Sequence, residues 1–336
     1  MQIDPELREG AQVAVKTCMN TGPDDRVCII SDQETWLVGQ ALNEEALASG
    51  ASVKLIKLED FSTRPLTEVP KGFVENILAF DPTVTFFAAS AQKGELPFRM
   101  GITIQLAQKT KKIRHAHMVS ITEQIMREGM RADYNQIHDL TMQVYELAKK
   151  AKTITFTSRK GSNVTTEFSP NLKWIPCHGL YHKPGDWGNL PEGEVFTCPK
   201  NVNGTIVADI LGDHFSAKYG VLDTPVTFEV KDGWVESIRC ENKQIKEELW
   251  DYLTSNENGR RIGEFAIGTN TALTHLSGVL LQDEKIPGIH IAFGDPSGRT
   301  TGADWTATTH VDVIPTDCTI ALDGNVIMQD GKFTLK

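Results

Sequence analysis

Short apolar segments alternate with helical segments along the first 150 residues, and this alternation limits the fold more than any other feature. The apolar run RVCIIS (Arg26–Ser31) is followed by a helical stretch that ends at Gly50, a residue type typical of the end of a helix. The same order recurs up to a helical stretch from Asp133 to Lys150. Strands that alternate with helices predict a mostly parallel sheet flanked by helices.

The pattern changes after Lys150. The segment VTFEVKDGWVESIRC predicts two strands joined by a tight turn at Asp232-Gly233, and LDGNVIMQDGKFTLK contains two further Asp-Gly turns. Two helical patterns interrupt these strands, at about residues 244–256 and 271–281. The predicted fold class is therefore α/β, with a mostly parallel scaffold domain at residues 1–150 and an α+β domain rich in antiparallel strands at residues 151–336.

Charge and composition exclude several classes of function. The formal net charge of -10 and the absence of a basic run disfavour binding to nucleic acid. No apolar run reaches the roughly 18 residues that cross a bilayer, and the polar start does not resemble a signal peptide, so we expect a cytoplasmic protein with no membrane partner. The six cysteines are scattered singly, which predicts free thiols in a reducing compartment. No glycine-rich nucleotide-binding motif follows a predicted strand.

The segment TTHVDVIP contains a histidine and a carboxylate at alternate positions of a predicted strand. Successive side chains on a strand point to opposite faces, so His310 and Asp312 share one face while Val311 and Val313 share the other. Taken alone, this alternation is typical of a half-buried strand with a polar solvent side. Further ligand types are needed before it indicates a site.

Three other segments place such residues in apolar or glycine-rich surroundings. Glu194 lies in NLPEGEVFTCP, Glu264 in RRIGEFAIGTN and His290 in DEKIPGIHIAFG. A carboxylate followed by Val-Phe or Phe-Ala-Ile is expected to be partly buried, and buried carboxylates are usually paired or bound to a cation. A structural ion pair would explain any one of them. Together with the H-x-D segment they favour a metal site in the second domain.

These four segments, in this order, resemble the aminopeptidase T family of metal-dependent leucyl aminopeptidases. The resemblance extends more loosely to PDDRVCIISD and ALNEEALASGASVKLI in the first half. It implies a homodimeric hydrolase that removes N-terminal residues from small peptides by means of two divalent ions (zinc, cobalt or manganese). Two such ions clamp the attacking water and the carbonyl oxygen of the substrate. The metal ligands that it implies are Glu194, Glu264, His290, His310 and Asp312, with Glu194 as the bridging ligand.

One departure from that family concerns catalysis. Its members carry a tyrosine shortly after the HIAFG histidine, thought to stabilise an oxyanion, whereas this chain reads HIAFGDPSGRTTGADW. Ser297 and Arg299 lie in that stretch, and an arginine could stabilise the oxyanion by its charge. The predicted catalytic residues of the hydrolase are therefore Glu194, Ser297 and Arg299.

A different chemistry stays open as the alternative. Within the same superfamily, the sequence also resembles the 2,5-dihydroxypyridine ring-cleaving dioxygenases, which use one ferrous ion. His290, His310 and Asp312 could form the two-histidine, one-carboxylate triad of non-haem iron oxygenases, acting on a dihydroxypyridine-like N-heterocycle. We rank the hydrolase first because a mononuclear iron site has no need of Glu194 and Glu264. A third class is a binding protein that keeps a metal without turnover.

Weaker candidates for substrate binding lie outside these segments. They could also be surface or packing residues, because several lie in glycine-rich loops or among apolar neighbours. A pair of histidines at the end of a first-domain strand, His115 and His117, could also face a ligand. The weak substrate-binding candidates are His178, His182, Arg99 and His275, of which His275 is also a possible iron ligand.

Overall fold

The computed structural model describes residues 3–92, 94–212 and 214–335. The chain divides into two compact units, of which the first comprises Met1–His138 and Gly179–Glu192 and the second Asp139–His178 and Gly193–Lys336. The roles of scaffold and catalytic domain, assigned to residues 1–150 and 151–336, stay predictions.

Strands and helices have the following bounds. The strands are β1 (Arg26–Ser31), β2 (Ser52–Lys57), β3 (Val84–Ala88), β4 (Arg114–His117), β5 (Thr153–Ser158), β6 (Asn163–Glu167), β7 (Ile175–Cys177), β8 (Trp187–Asn189), β9 (Glu194–Thr197), β10 (Asn201–Ala208), β11 (Ile210–Leu211), β12 (Val226–Lys231), β13 (Trp234–Arg239), β14 (Ile262–Gly268), β15 (Gly288–Gly294), β16 (His310–Ile314), β17 (Cys318–Leu322), β18 (Asn325–Gln329) and β19 (Lys332–Phe333). The α-helices are α1 (Pro5–Gln12), α2 (Trp36–Ala48), α3 (Phe73–Leu78), α4 (Leu96–Thr103), α5 (Glu123–Arg127), α6 (Tyr134–Ala148), α7 (His214–Tyr219), α8 (Lys243–Thr254), α9 (Leu280–Asp283) and α10 (Gly298–Thr301). Among the residues that the structure describes, none of these helices is both long and apolar enough to cross a membrane.

The first unit contains the predicted parallel sheet. Its strand order is β2-β1-β3-β4-β8, and every neighbouring pair is parallel. All five residues of β3 are buried, as expected for a strand covered on both faces by helices. The α/β prediction for this part of the chain is therefore confirmed.

The strand order of this sheet reverses between β1 and β3, and buried ion pairs lie beyond the ends of these two strands. In open α/β sheets this crevice, beyond the carboxyl ends of the strands, is where ligands usually bind. Here Arg64 donates hydrogen bonds to Asp32 after β1, to Ser90 after β3 and to Glu95, and the side chains of Arg64, Asp32 and Glu95 are at most 4% exposed. The polar side chains at this crevice are therefore bonded to one another.

The second unit consists of two antiparallel sheets packed face to face. One has the order β13-β12-β10-β6-β5-β17-β18-β19 and the other the order β11-β16-β15-β14-β9-β7. The aromatic rings of Phe228 and Phe293, one from each sheet, have centroids 5.0 Å apart, and those of Phe156 and Phe265 are 6.4 Å apart. One face of each sheet therefore builds a common apolar core, and the predicted antiparallel domain is confirmed.

Three predicted hairpin turns are present in this unit. At Asp232-Gly233 both residues have positive φ, 51° and 80°, as the type I′ turn requires. The Asp-Gly pairs at 323–324 and 330–331 have the same signs of φ. The helix predicted at about 244–256 is α8.

The helix predicted at about 271–281 is wrong. Only Leu280–Asp283 is helical, and the preceding loop is held by side-chain hydrogen bonds. The Asp283 carboxylate accepts hydrogen bonds from the Ser277 and Gly278 backbone amides at 2.7 Å each, and Gly278 has a φ of 84°. Local bonds of this kind compete with helical hydrogen bonding, and only glycine adopts positive φ at little cost.

Candidate metal centre

Strand register places the five predicted ligands on one face of the six-stranded sheet. Glu264 on β14 and Asp312 on β16 are both paired with Ala292 of β15, and His290 lies two residues before Ala292, on the same face of β15. Glu194 on β9 is paired with Gly268, four residues beyond Glu264 on β14. Because the side-chain period is two, the alternate residues of β14, β15 and β16 point the other way, into the core between the sheets.

The side chains of these five residues approach one another closely. His290 Nε2 lies 3.3 Å from Glu264 Oε1 and 3.5 Å from Glu194 Oε2. His310 Nε2 lies 3.7 Å from Asp312 Oδ1 and 3.9 Å from Glu264 Oε2. One ligand atom from each of Glu264, His290 and Asp312 falls within 4.8 Å of the other two. The structure thus brings together two imidazoles and three carboxylates, the donor types of a divalent metal site.

Both histidines present Nε2 to the carboxylates. His310 Nδ1 lies 2.9 Å from the carbonyl oxygen of Asp295, to which it donates, so in the neutral ring Nε2 carries the lone pair. His290 is 1% exposed, and its Nδ1 has no hydrogen-bond partner among the described residues. The Nε2 atom of each ring is therefore the one placed to bind a cation.

The carboxylates change the acid-base properties of the two rings. Burial alone would lower the pKa of His290, but the hydrogen bond to Glu264 and the charges of Glu194 and Asp312 raise that pKa to about 9. Burial opposes the same effect at His310, where the charge of Asp312 is the largest cause that raises the pKa, to about 10. Burial raises the pKa of Asp312, and the charge of His310 outweighs this and lowers it. Without a metal, the cluster therefore holds protons on its histidines at neutral pH.

We expect metal affinity to fall as the pH is lowered. Both histidine pKa values lie above the ordinary 6.5, so a cation must displace protons, and each displaced proton costs up to about tenfold in affinity per pH unit. Because the pKa values of both rings are raised in the folded protein, the protonated rings also stabilise the metal-free fold. This stabilisation is complete below about pH 6.5 and is lost as the pH rises through about 9 to 10. Titration of metal-free protein with manganese(II) at several pH values measures the slope. A flat profile between about pH 6 and pH 8 would contradict the proton displacement.

Gly212, just after β11, packs directly against Asp312. Its amide donates to the Asp312 carbonyl oxygen at 2.7 Å. A Cβ atom at residue 212 would lie 2.8 Å from the Asp312 backbone nitrogen and 2.9 Å from Asp312 Oδ2. No larger residue fits without moving this carboxylate.

We therefore expect Gly212→Ala to weaken metal binding by about 10 to 100-fold, the usual cost of disturbing a group that supports a ligand. Metal titration of the folded variant measures the loss. Gly22→Ala is the matched control, because a Cβ at this glycine would contact nothing within 4 Å and its φ is not positive. Equal affinity in Gly212→Ala and wild type would show that Asp312 is not constrained from this side.

A buried lysine lies beside the cluster. Lys285, between α9 and β15, is 1% exposed, and its Nζ atom lies 2.8 Å from Glu194 Oε1 and 2.8 Å from Glu284 Oε1. The sequence does not single out this lysine, because the run Asp-Glu-Lys before Ile-Pro-Gly is typical of a solvated turn. Its only signal is its position five residues before His290.

The predicted oxyanion residues lie in the segment after β15. Ser297 has a φ of 52°, and its amide donates to Asp295 Oδ1 at 3.0 Å. Arg299 is exposed on α10, and in the described part of the chain no ion pair or hydrogen bond joins it to the five ligands. Among the described residues neither side chain forms a hydrogen bond or ion pair with Glu194, Glu264 or Asp312, and the catalytic role of Ser297 and Arg299 stays a prediction.

The four weaker candidates lie elsewhere. His182, exposed in the first unit, has Nε2 2.8 Å from the Thr17 carbonyl oxygen, and Arg99 is half-buried on α4 of the same unit. His178 is half-buried just after β7, and His275 is exposed in the loop before α9. Of the two strand histidines, His115 is bonded to Thr85 through Nδ1 at 2.8 Å and burial lowers its pKa to about 4.

Comparison with known proteins assigns the family. Residues 12–270 match the family model described as NicX, 2,5-dihydroxypyridine 5,6-dioxygenase. The chain belongs to this family. The matched range contains Glu194 and Glu264 and ends before His290, His310 and Asp312. No curated protein matches the sequence.

Two solved structures share the fold over nearly the whole chain. A 2,5-dihydroxypyridine dioxygenase from Pseudomonas putida KT2440 has a TM-score of 0.70 at 17% identity, with 98% of this chain and 97% of that chain covered. Wild-type AmpT from Thermus thermophilus has a TM-score of 0.70 at 16% identity, with 98% and 99% covered. The NicX-family chain thus shares its fold with both solved structures, and 2,5-dihydroxypyridine dioxygenase is the match at family level.

Proposed function

We propose that this NicX-family chain is a ring-cleaving dioxygenase that uses one ferrous ion and acts on a dihydroxypyridine-like N-heterocycle. The observation that carries the proposal is the group of His290, His310 and Asp312 on the neighbouring strands β15 and β16, with each imidazole Nε2 turned towards carboxylate oxygens. The family match supports the same reaction. This ranking reverses the order that the sequence alone favoured.

The residues present fit such an ion. Two neutral imidazoles and one carboxylate form the facial triad of non-haem iron oxygenases, which leaves positions open for substrate and oxygen. Asp295 orients His310 through its carbonyl oxygen, as the partners of metal-bound histidines usually do. A ferrous ion held there would supply the one-electron chemistry by which dioxygen reacts with an electron-rich ring.

Glu264 is assigned the transfer of a proton. Its carboxylate is 8% exposed and lies 3.3 Å from His290 Nε2 and 3.9 Å from His310 Nε2. A substrate hydroxyl bound beside the two histidines is therefore within reach of a Glu264 oxygen, which accepts its proton. The reaction breaks the ring bond between C5 and C6 and adds both atoms of dioxygen, one to each carbon.

The position of Glu194 supports the hydrolase as the second candidate. Glu194 Oε2 lies 3.5 Å from His290 Nε2, so a fifth donor is in reach of the cluster. A two-metal hydrolase would use this carboxylate as the bridge between its ions. Its charge is already matched by Lys285 at 2.8 Å, which is why the single-ion function is preferred.

Oxygen uptake separates the two candidates. Protein loaded with iron(II) is expected to consume oxygen when 2,5-dihydroxypyridine is added, and to release no leucine from a leucyl amide under nitrogen. Leucine release with zinc or cobalt, without oxygen uptake on the pyridine, would overturn the proposal in favour of the hydrolase. Glu264→Gln, which keeps the size of the side chain, should lower uptake by about 10² to 10⁴-fold if Glu264 accepts the proton.

A further inference from the structure

The environment of Lys285 points to a charge that belongs to the metal centre. A buried ammonium is costly unless carboxylates pair with it. Lys285 is paired with two, Glu194 and Glu284, through contacts of 2.8 Å each. The Asn270 amide donates to its backbone carbonyl at 3.0 Å, which fixes the chain at this residue. The ion pairs and the backbone hydrogen bond therefore hold the ammonium at a defined position beside the cluster.

Glu194 connects the ammonium to the histidines. One of its oxygens, Oε1, lies 2.8 Å from Lys285 Nζ, and the other, Oε2, lies 3.5 Å from His290 Nε2. In a two-metal centre a bridging carboxylate presents one oxygen to each cation. Around Glu194 the lysine ammonium lies against one of the two oxygens, and the imidazole of His290 is nearest to the other.

The ammonium would repel a second cation at this place. Its Nζ atom lies 2.8 Å from Glu194 Oε1 and also 2.8 Å from Glu284 Oε1. A second divalent ion bound to Glu194 would therefore lie beside a buried positive charge, which is unfavourable.

We propose that the Lys285 ammonium takes the place of a second metal cation and limits the centre to one divalent ion per chain. The inference rests on the proposed function, since it concerns the same metal centre. It makes Lys285 a positioning residue that holds Glu194 against the histidine side of the site. Within this superfamily fold, the presence of the lysine would then favour a one-metal reaction.

Metal counting with manganese(II) alone tests the proposal. Metal-free protein is titrated without oxygen, and bound metal is measured after dialysis. Wild type should bind about one equivalent and Lys285→Gln about two, because no ammonium then lies against Glu194 Oε1 and this oxygen can bind a second ion. Lys285→Arg, which keeps the charge, should stay at about one. Lys160→Gln is the matched control, because Lys160 pairs with the buried Asp209 at 2.6 Å in the same unit and should not change the count.

Two equivalents in wild type, or one in a folded Lys285→Gln variant, would overturn the inference. If Lys285→Gln does not fold, the double variant Lys285→Gln/Glu284→Gln is counted instead, because it removes the ammonium together with one of the two buried carboxylates that pair with it. It should bind about two equivalents, and one equivalent would overturn the inference.

The metal count is independent of the assay for the proposed function. An active dioxygenase that binds two equivalents would overturn the inference alone. A protein that binds one equivalent and consumes no oxygen with any dihydroxypyridine would contradict the function and leave the role of Lys285 standing.

Discussion

Replacing His310 with alanine is expected to lower metal affinity and turnover by more than about 100-fold, beyond the usual cost of losing a residue that only supports a ligand. His310 Nε2 faces Asp312 and Glu264, and its Nδ1 donates to the Asp295 carbonyl oxygen at 2.9 Å. The variant therefore loses a nitrogen donor that the fold orients in advance. Metal titration and oxygen uptake measure the two losses separately.

The controls for His310→Ala are His182→Ala and His178→Ala. His182 is exposed in the first unit, and His178 is only half-buried after β7. Both variants should keep metal affinity within about 10-fold of wild type, the lower end of the cost of disturbing a supporting group. Equal loss of metal from all three variants would mean that His310 is not a direct ligand.

Removing the metal with a chelator should abolish turnover, and only a redox-active ion should restore it. The carboxylates and imidazoles of the cluster bind several divalent ions, so zinc is expected to occupy the site as well. Zinc has no redox chemistry, and ring cleavage by dioxygen requires electron transfer. We therefore expect iron(II) to restore oxygen uptake by more than about 100-fold over the metal-free protein, with zinc giving no recovery.

Equal recovery with zinc would contradict the oxygenase. The matched control is the zinc-loaded protein's metal content, which must equal that of the iron-loaded protein, so that the lack of turnover reflects the chemistry of the ion. Recovery of leucyl amide hydrolysis with zinc would point to the hydrolase instead.

Local sequence patterns predicted much of the fold. The apolar run at Arg26–Ser31 is β1, and the three Asp-Gly pairs form turns in which both residues have positive φ. These features follow from short-range rules, because alternation and turn geometry depend on neighbouring residues. Glu194, Glu264 and His290 were noted for their apolar or glycine-rich surroundings, since a buried carboxylate or histidine needs a partner. The full set of five ligands was what the resemblance to the aminopeptidase T family implied.

Features that depend on distant contacts were missed. The segment 271–281 has helical spacing, yet Asp283 bonds to Ser277 and Gly278 and holds most of it as a loop. Lys285 lies in a charged Asp-Glu-Lys run, and its ion pair is with Glu194, which lies 91 positions earlier in the chain. The extra carboxylates Glu194 and Glu264 therefore argued for two metals in the sequence. In the structure an ammonium matches one of them.

Isotope labelling tests the central claim most directly. Iron-loaded protein is incubated with 2,5-dihydroxypyridine under oxygen-18 gas in ordinary water. The reaction is quenched fast enough to prevent exchange of oxygen with water, and the mass of the product is measured by mass spectrometry. A dioxygenase at His290, His310 and Asp312 predicts a ring-opened product that carries two labelled oxygen atoms from the gas. A product without label from the gas, together with oxygen taken from labelled water into a cleaved leucyl amide, would contradict it.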